Sequence, residues 1–232
     1  MKRICLLLFI FLGGQLFAQN VGRQQLVDNS AMEYRNVADK QSVLYYGKEQ
    51  DVYQRTINHP YLIDAQHTKA RLSYSGVIYP EVMLRLDLYR DELIVQSSFN
   101  RNIVLVPENV GFAEMHGRNI IYFRSDSLRG SPSSGYYTLL HSGKCKVLER
   151  QVNRLTHNDR QEFYYYMTTS FYLYKEDVYY IIRSQRGLLK ALGSHKKELK
   201  RFISANHLRF RDNTEIFLVK TINEYEKLSG SL

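Results

Sequence analysis

Short runs of Val, Ile, Leu, Tyr and Phe, each cut off by a few turn residues, recur from about residue 42 to residue 183. They leave little choice of architecture. In the clearest run, Val82, Leu84, Leu86 and Leu88 alternate with Met83, Arg85 and Asp87. That is the period of a strand with one face on a core and the other on solvent. Tyr89 to Glu92 makes a polar break and Leu93 to Gln96 resumes, which reads as a hairpin. Ile103 to Val106 ends at Pro107, and Ile120 to Phe123 follows His116-Gly117. Gly135 to Leu140 joins Cys145 to Leu148 through Ser142-Gly143-Lys144, and Phe171 to Tyr174 joins Val178 to Ile182 through Lys175 to Asp177. Links this short connect antiparallel neighbours and have no room for a crossover helix. The expectation is an antiparallel β meander, as a sandwich or an open barrel-like sheet. Leu44 to Gly47 and Asp51 to Tyr53 also read as strand, whereas Ser125 to Gly135 and Asn153 to Gln161 read as polar loops, the first long enough to be mobile.

At Arg183 the period changes from two to that of a helix. Leu188, Leu189 and Leu192 share a face and Gly193 stops the run. Ser194 is placed to cap a second helix carrying Leu199, Phe202 and Ile203, with Asn206 as its stop. Asp212, with Glu215 three residues on, matches a capping box opening a third helix, on which Leu218, Ile222 and Tyr225 align through about Leu228. Three short amphipathic helices need something to cover, and the sheet is the available partner. The expected fold class is therefore α+β: the meander, then a small helical tail.

The N-terminus reads as a secretory signal peptide. Met1-Lys2-Arg3 is a cationic head, Ile4 to Leu12 a nine-residue apolar run, Gly13-Gly14 a helix break and Ala18 a cleavage site. The run is too short to span a bilayer, which takes about 20 residues, and Cys5 lies too early in it to carry a lipid. The expected organisation is a signal over 1–18, a polar lead-in over 19–41, a β domain over 42–183 and a basic helical tail over 184–232 packed on the sheet. Export with no membrane span places the mature protein in the periplasm, at the outer membrane or outside the cell. After cleavage one cysteine remains, Cys145, so no intrachain disulfide can form. Its neighbours Lys144 and Lys146 would favour a thiolate, although a plain strand cysteine is the commoner case.

Charge is unevenly placed. The chain carries a formal net charge of +9, and nine Lys and Arg residues fall between Arg183 and Arg211 with one acid, Glu198, among them. The rest of the mature chain holds nearly equal numbers of acids and bases. The basic tail is thus the candidate site, with Lys196, Lys197, Lys200 and Arg201 as the anion- or partner-binding residues. Outside the cytoplasm the fitting partner is an anionic envelope surface or an acidic protein, and nucleic acid is not expected. A solvated helix face would have the same composition.

Catalytic patterns are absent. The seven His residues are scattered, with no His-x-x-x-His pair, and there is no Gly-x-Ser-x-Gly elbow or phosphate-cradling glycine loop. No metal or cofactor is expected. His157-Asn158-Asp159 reads as a polar turn, and Ser194-His195-Lys196-Lys197 matches Ser-x-x-Lys without the companion motifs of an acyltransferase. Glu81, Asp87, Asp91 and Glu92 cluster near one hairpin, but spacing alone does not make a carboxylate pair. The chain has 19 Tyr, 11 Phe and no Trp; the dense stretch from Phe163 to Tyr180 suits sheet packing, or a sugar or peptide surface.

Leu86 to Leu93, Gly135-Tyr136-Tyr137 with Leu140 and Gly143-Lys144, and Tyr172-Leu173-Tyr174 leading to Ser184 and Leu188-Leu189-Lys190 resemble an uncharacterised family of exported proteins common in the Bacteroidota. The Phe17-Ala18-Gln19 ending is similar to signal peptides of that group. The resemblance spans roughly residues 60–228 and implies the same organisation without an activity. The expected function is a non-catalytic envelope protein that binds through its basic tail. The alternatives are an envelope hydrolase with a dispersed site and a structural subunit of an envelope assembly.

Overall fold

In the computed structural model the described residues are 43–230; the signal sequence, the polar lead-in and the last two residues of the tail lie outside them. Residues 43–46 close in a turn, the Tyr46 amide donating to the Val43 carbonyl at 3.5 Å. From Gly47 on, the chain forms a separate compact unit. It has eleven strands: β1 (Lys48–Glu49), β2 (Thr68–Tyr74), β3 (Val77–Asp87), β4 (Glu92–Gln96), β5 (Asn102–Val104), β6 (Val110–Met115), β7 (Arg118–Phe123), β8 (Gly135–Ser142), β9 (Lys146–His157), β10 (Phe163–Lys175) and β11 (Val178–Ile182). Helices α1 (Gln185–Leu192), α2 (Lys196–Ala205) and α3 (Thr214–Leu228) follow. Among the described residues no helix is long and apolar enough to cross a membrane.

Turn chemistry sets the hairpins. Ser75-Gly76, His116-Gly117 and Glu176-Asp177 are two-residue links in which both φ values are positive, the geometry whose twist matches that of antiparallel strands. All strand pairs are antiparallel, and the eleven strands lie in one sheet ordered β1-β5-β4-β3-β2-β6-β7-β8-β9-β10-β11. It consists of two meanders, β2 to β5 and β6 to β11, joined side by side where β2 pairs with β6.

That junction forces the sheet to curl. β5 and β6 are four strand spacings apart, ~19 Å in a flat sheet. The chain from Val104 to Val110 reaches ~20 Å only when fully extended, yet it contains a 3₁₀ turn at Pro107–Asn109. The curl brings the β3–β4 turn onto β8 and β9. Asp91 accepts both guanidinium nitrogens of Arg150 at 2.8 Å and the Tyr136 amide at 3.2 Å. The Asn153 amide donates to the Leu88 carbonyl at 2.9 Å. The segment before β2 stitches the same seam: Pro60 accepts from the Leu88 amide at 2.9 Å and from the Asn153 side chain at 2.8 Å. Asn58 pairs with both backbone groups of Tyr165 at 2.7 Å. The sheet is therefore rolled and open, and the sandwich alternative does not form because the ladder is never interrupted.

Inside the roll a continuous row crosses the strands through paired positions: Leu72, Ala113, Ile120, Thr138 and Glu149. All five are buried. The row turns polar where α3 arrives. Arg118 bridges Glu149 at 2.6 Å and Glu215 of α3 at 2.8 Å. The helices bury Leu188, Leu192, Leu199, Phe217, Leu218 and Ile222 against Cys145, Val147, Leu173 and Ile182 of the sheet. Each such apolar side chain contributes on the order of 1.5–3 kcal/mol of transfer free energy.

Several local expectations shift. Arg85 and Asp87, placed on solvent by the alternation, are covered by the segment ahead of β2, and Asp87 is fully buried. Asn153 to His157 is strand rather than loop, because β9 runs on to pair with Phe163 to Met167 of β10. Only Lys48–Glu49 of the early segment joins the sheet, and Asp51 to Tyr53 joins no ladder. The loop from Ser125 to Gly135 is strapped down: Ser131 and Ser134 hydroxyls accept the amides of Asp126 and Ser125, and Arg129 bridges to Val178.

Candidate anion-binding groove

The groove forms because α1 and α2 are joined by a very short link. Ser184 caps α1, its hydroxyl accepting the Gly187 amide at 3.1 Å. Gly193 (φ 79°) ends it with its amide on the Leu189 carbonyl, and His195 (φ 55°) opens α2 without a side-chain cap. Two left-handed residues make the turn, so Ser194 falls one position too early to be the cap expected of it. With no side-chain cap, the start of α2 keeps the partial positive charge of a helix N-terminus.

Leu188, Leu189, Leu192, Leu199 and Ile203 pull the apolar faces of both helices onto the core. The intervening positions are left outside. Arg186 and Lys190 on α1, and Lys196 and Lys200 on α2, are each four residues apart and so lie one turn apart on one face. Together with Gln185 and Leu189 they line a groove of about 630 Å³. Of the four candidates read from the chain, Lys196 and Lys200 meet there. Lys197 and Arg201 are exposed on α2 but do not line it. Arg186 and Lys190 were visible only as part of the charge run. The helix period of α1 placed them on one face, but nothing local told that α2 would lie opposite.

Among the described residues, none of the nine cations from Arg183 to Arg211 makes an ion pair. Glu198 is exposed and pairs with none of them. This contrasts with the sheet. There Lys69 is paired with Glu81, Arg71 with Glu114 and Arg150 with Asp91. Four unneutralised cations around one concavity give a local field that concentrates anions, screened over about 8 Å at physiological salt.

The other chemical features of the chain are accounted for by packing. Among the described residues no three His, Cys, Asp or Glu side chains come together as a metal site. Asp87 accepts the amides of Tyr89 and Arg90 at 2.9 and 3.0 Å and the Tyr53 hydroxyl, while Asp91 is held by Arg150. Asp87 and Asp91 thus have separate partners, whereas Glu92 keeps a buried carboxyl oxygen without one, and burial pushes its carboxyl above the usual range. Tyr53, Tyr61, Tyr89 and Tyr165 pack ring on ring. Asn158 forms a polar turn by accepting the Arg160 and Glu162 amides. Cys145 is buried, and burial followed by the Glu226 carboxylate pushes its thiol up to about 11. The flanking lysines do not produce a thiolate there, because they reach solvent while the sulfur faces the core.

No family model matches the chain, and no curated protein and no solved structure matches it.

Proposed function

We propose that this protein is an exported envelope component that binds an anionic surface through the α1–α2 groove and performs no chemistry of its own. The observation that supports this most is the set of four unpaired cations, Arg186, Lys190, Lys196 and Lys200, around one concavity. The export signal expected over 1–18 and the resemblance to exported Bacteroidota-type proteins support an envelope compartment, where anionic lipid headgroups and acidic glycans are abundant. Each basic side chain near such a surface contributes about 1 kcal/mol. Reversing two of them weakens binding by roughly tenfold or more, since 1.4 kcal/mol is a factor of ten.

Sedimentation of the mature protein with vesicles tests this, using phosphatidylglycerol-containing against purely zwitterionic vesicles. Binding to the anionic vesicles falls steeply when salt rises from 0.1 to 0.5 M. Lys196→Glu with Lys200→Glu loses about tenfold, and Lys197→Glu with Arg201→Glu, which changes net charge equally outside the groove, loses less. Equal losses for the two pairs would reduce the groove to a charged helix face. No difference between vesicle types would end the proposal.

A further inference from the structure

We propose that the outer edge of β11 accepts an extended acidic peptide segment as an added strand. β11 is the last strand of the sheet, and backbone parity says which of its groups face outward. The Tyr179 amide donates to the Arg129 carbonyl at 2.9 Å, away from β10. Ile181, two residues on, points its own amide and carbonyl the same way. Among the described residues those two groups have no backbone partner.

The edge already works as a template. The Arg129–Val178 bridge is a parallel pairing made by a loop, and Gly130 lies so close that a Cβ there would collide with the Tyr179 carbonyl. The loop covers the start of β11 and leaves Tyr180 to Ile182 open. Beside that open length is a groove of about 590 Å³ between the loop and α1. Gly187 and Ala191 of α1 line it with little side chain, leaving room for a backbone. Ile181 is 49% exposed, whereas edge strands are ordinarily protected by charge, proline or a cover.

Charge selects the occupant. Arg129 and Lys190 line the groove and no carboxylate does. The acids on the loop and on the β10–β11 turn are turned to other tasks, Asp126 toward the Tyr179 hydroxyl at 3.4 Å, Asp177 toward the Tyr174 hydroxyl at 2.7 Å and Glu176 toward Lys175 at 3.0 Å. A second copy of this chain would bring the same cations face to face. An acidic extended segment meets them with opposite charge, and main-chain pairing with Ile181 supplies the rest, the usual logic of strand addition. This goes beyond the anionic-surface reading and shares with it only Lys190.

The probe is a labelled hexapeptide of alternating Val and Glu, followed by fluorescence anisotropy and by amide hydrogen exchange of the mature protein. The free protein exchanges the Ile181 amide quickly and the Tyr179 amide slowly. Saturating peptide slows Ile181 at least tenfold. The Val–Lys counterpart and a fully N-methylated Val–Glu peptide do not bind, and Arg129→Glu weakens the Val–Glu peptide about tenfold. Lack of saturable binding to 1 mM would overturn the proposal. So would binding that leaves Ile181 exchange unchanged or survives N-methylation, which would assign the peptide to the α1–α2 groove and leave the vesicle result standing. An Ile181 amide already slow in the free protein, with a dimer mass, would give the edge to a second copy and overturn it as well.

Discussion

His67 illustrates how far a single side chain can depart from its ordinary chemistry. It is half-buried at the end of the segment that leads into β2, and burial followed by the Arg85 guanidinium pushes its pKa down to about 4. Arg85 itself stacks its guanidinium 3.8 Å from the centre of the Tyr61 ring and donates to the Ala65 carbonyl at 2.7 Å. In the unfolded chain His67 takes a proton near pH 6.5, whereas in the folded protein it resists until about pH 4. The contribution of this residue is therefore complete above pH 6.5 and is lost as pH falls toward 4. His67→Gln removes that part of the dependence. Urea midpoints measured between pH 7 and 4 fall less for the variant than for the wild type; parallel curves would show that His67 titrates normally. Its position in the chain, between Gln66 and Thr68, carries no sign of this, because the shift comes from burial in the folded chain and then from Arg85, far away on β3.

At the scale of elements, period and stop signals were readable and caps were not. Leu188, Leu189 and Leu192, with Gly193 after them, define α1 from its sequence alone. For α3 the expected cap was Asp212, but Asn213 occupies the position and accepts the Ile216 amide at 2.9 Å. Both residues are competent caps, and a one-residue choice between them is settled by where the helix must start. Here Glu215 has to reach Arg118, at 2.8 Å, and through it the buried Glu149. Burial and the adjacent Glu215 charge push the Glu149 carboxyl above its usual range while Arg118 draws it back. Asn213→Ala costs about 1 kcal/mol in chemical denaturation, a typical cap loss, and Asp212→Ala costs clearly less. A reversed order would restore the Asp212 cap.

For the whole molecule, the decisive feature is the roll of the sheet. Asn153 stands at its seam, 7% exposed, with its amide on Leu88 and its side chain on Pro60. From the sequence it read as the start of a polar loop, since Asn between Val152 and Arg154 looks like turn chemistry. Its strand role depends on Met167, its partner on β10. Asn153→Ala leaves the Pro60 carbonyl without that donor and costs about 1–3 kcal/mol. A Val152→Ala variant, with no bond across the seam, provides the packing reference. Equal losses in thermal denaturation would place the seam elsewhere.

The amino-acid sequence by itself determined the antiparallel strands, the change to helix at Arg183, the apolar faces of the three helices and the concentration of charge after it. Each follows from interactions between residues close in the chain, through alternation, turn dihedrals and the helix repeat. Only the tertiary structure decided that Asp87 is interior, that the sheet rolls instead of splitting, and that Arg186 and Lys190 face Lys196 and Lys200. Those outcomes depend on groups distant in sequence meeting across the seam and across the α1–α2 turn. No local pattern encodes that meeting, because its free energy exists only once the sheet has rolled around its core.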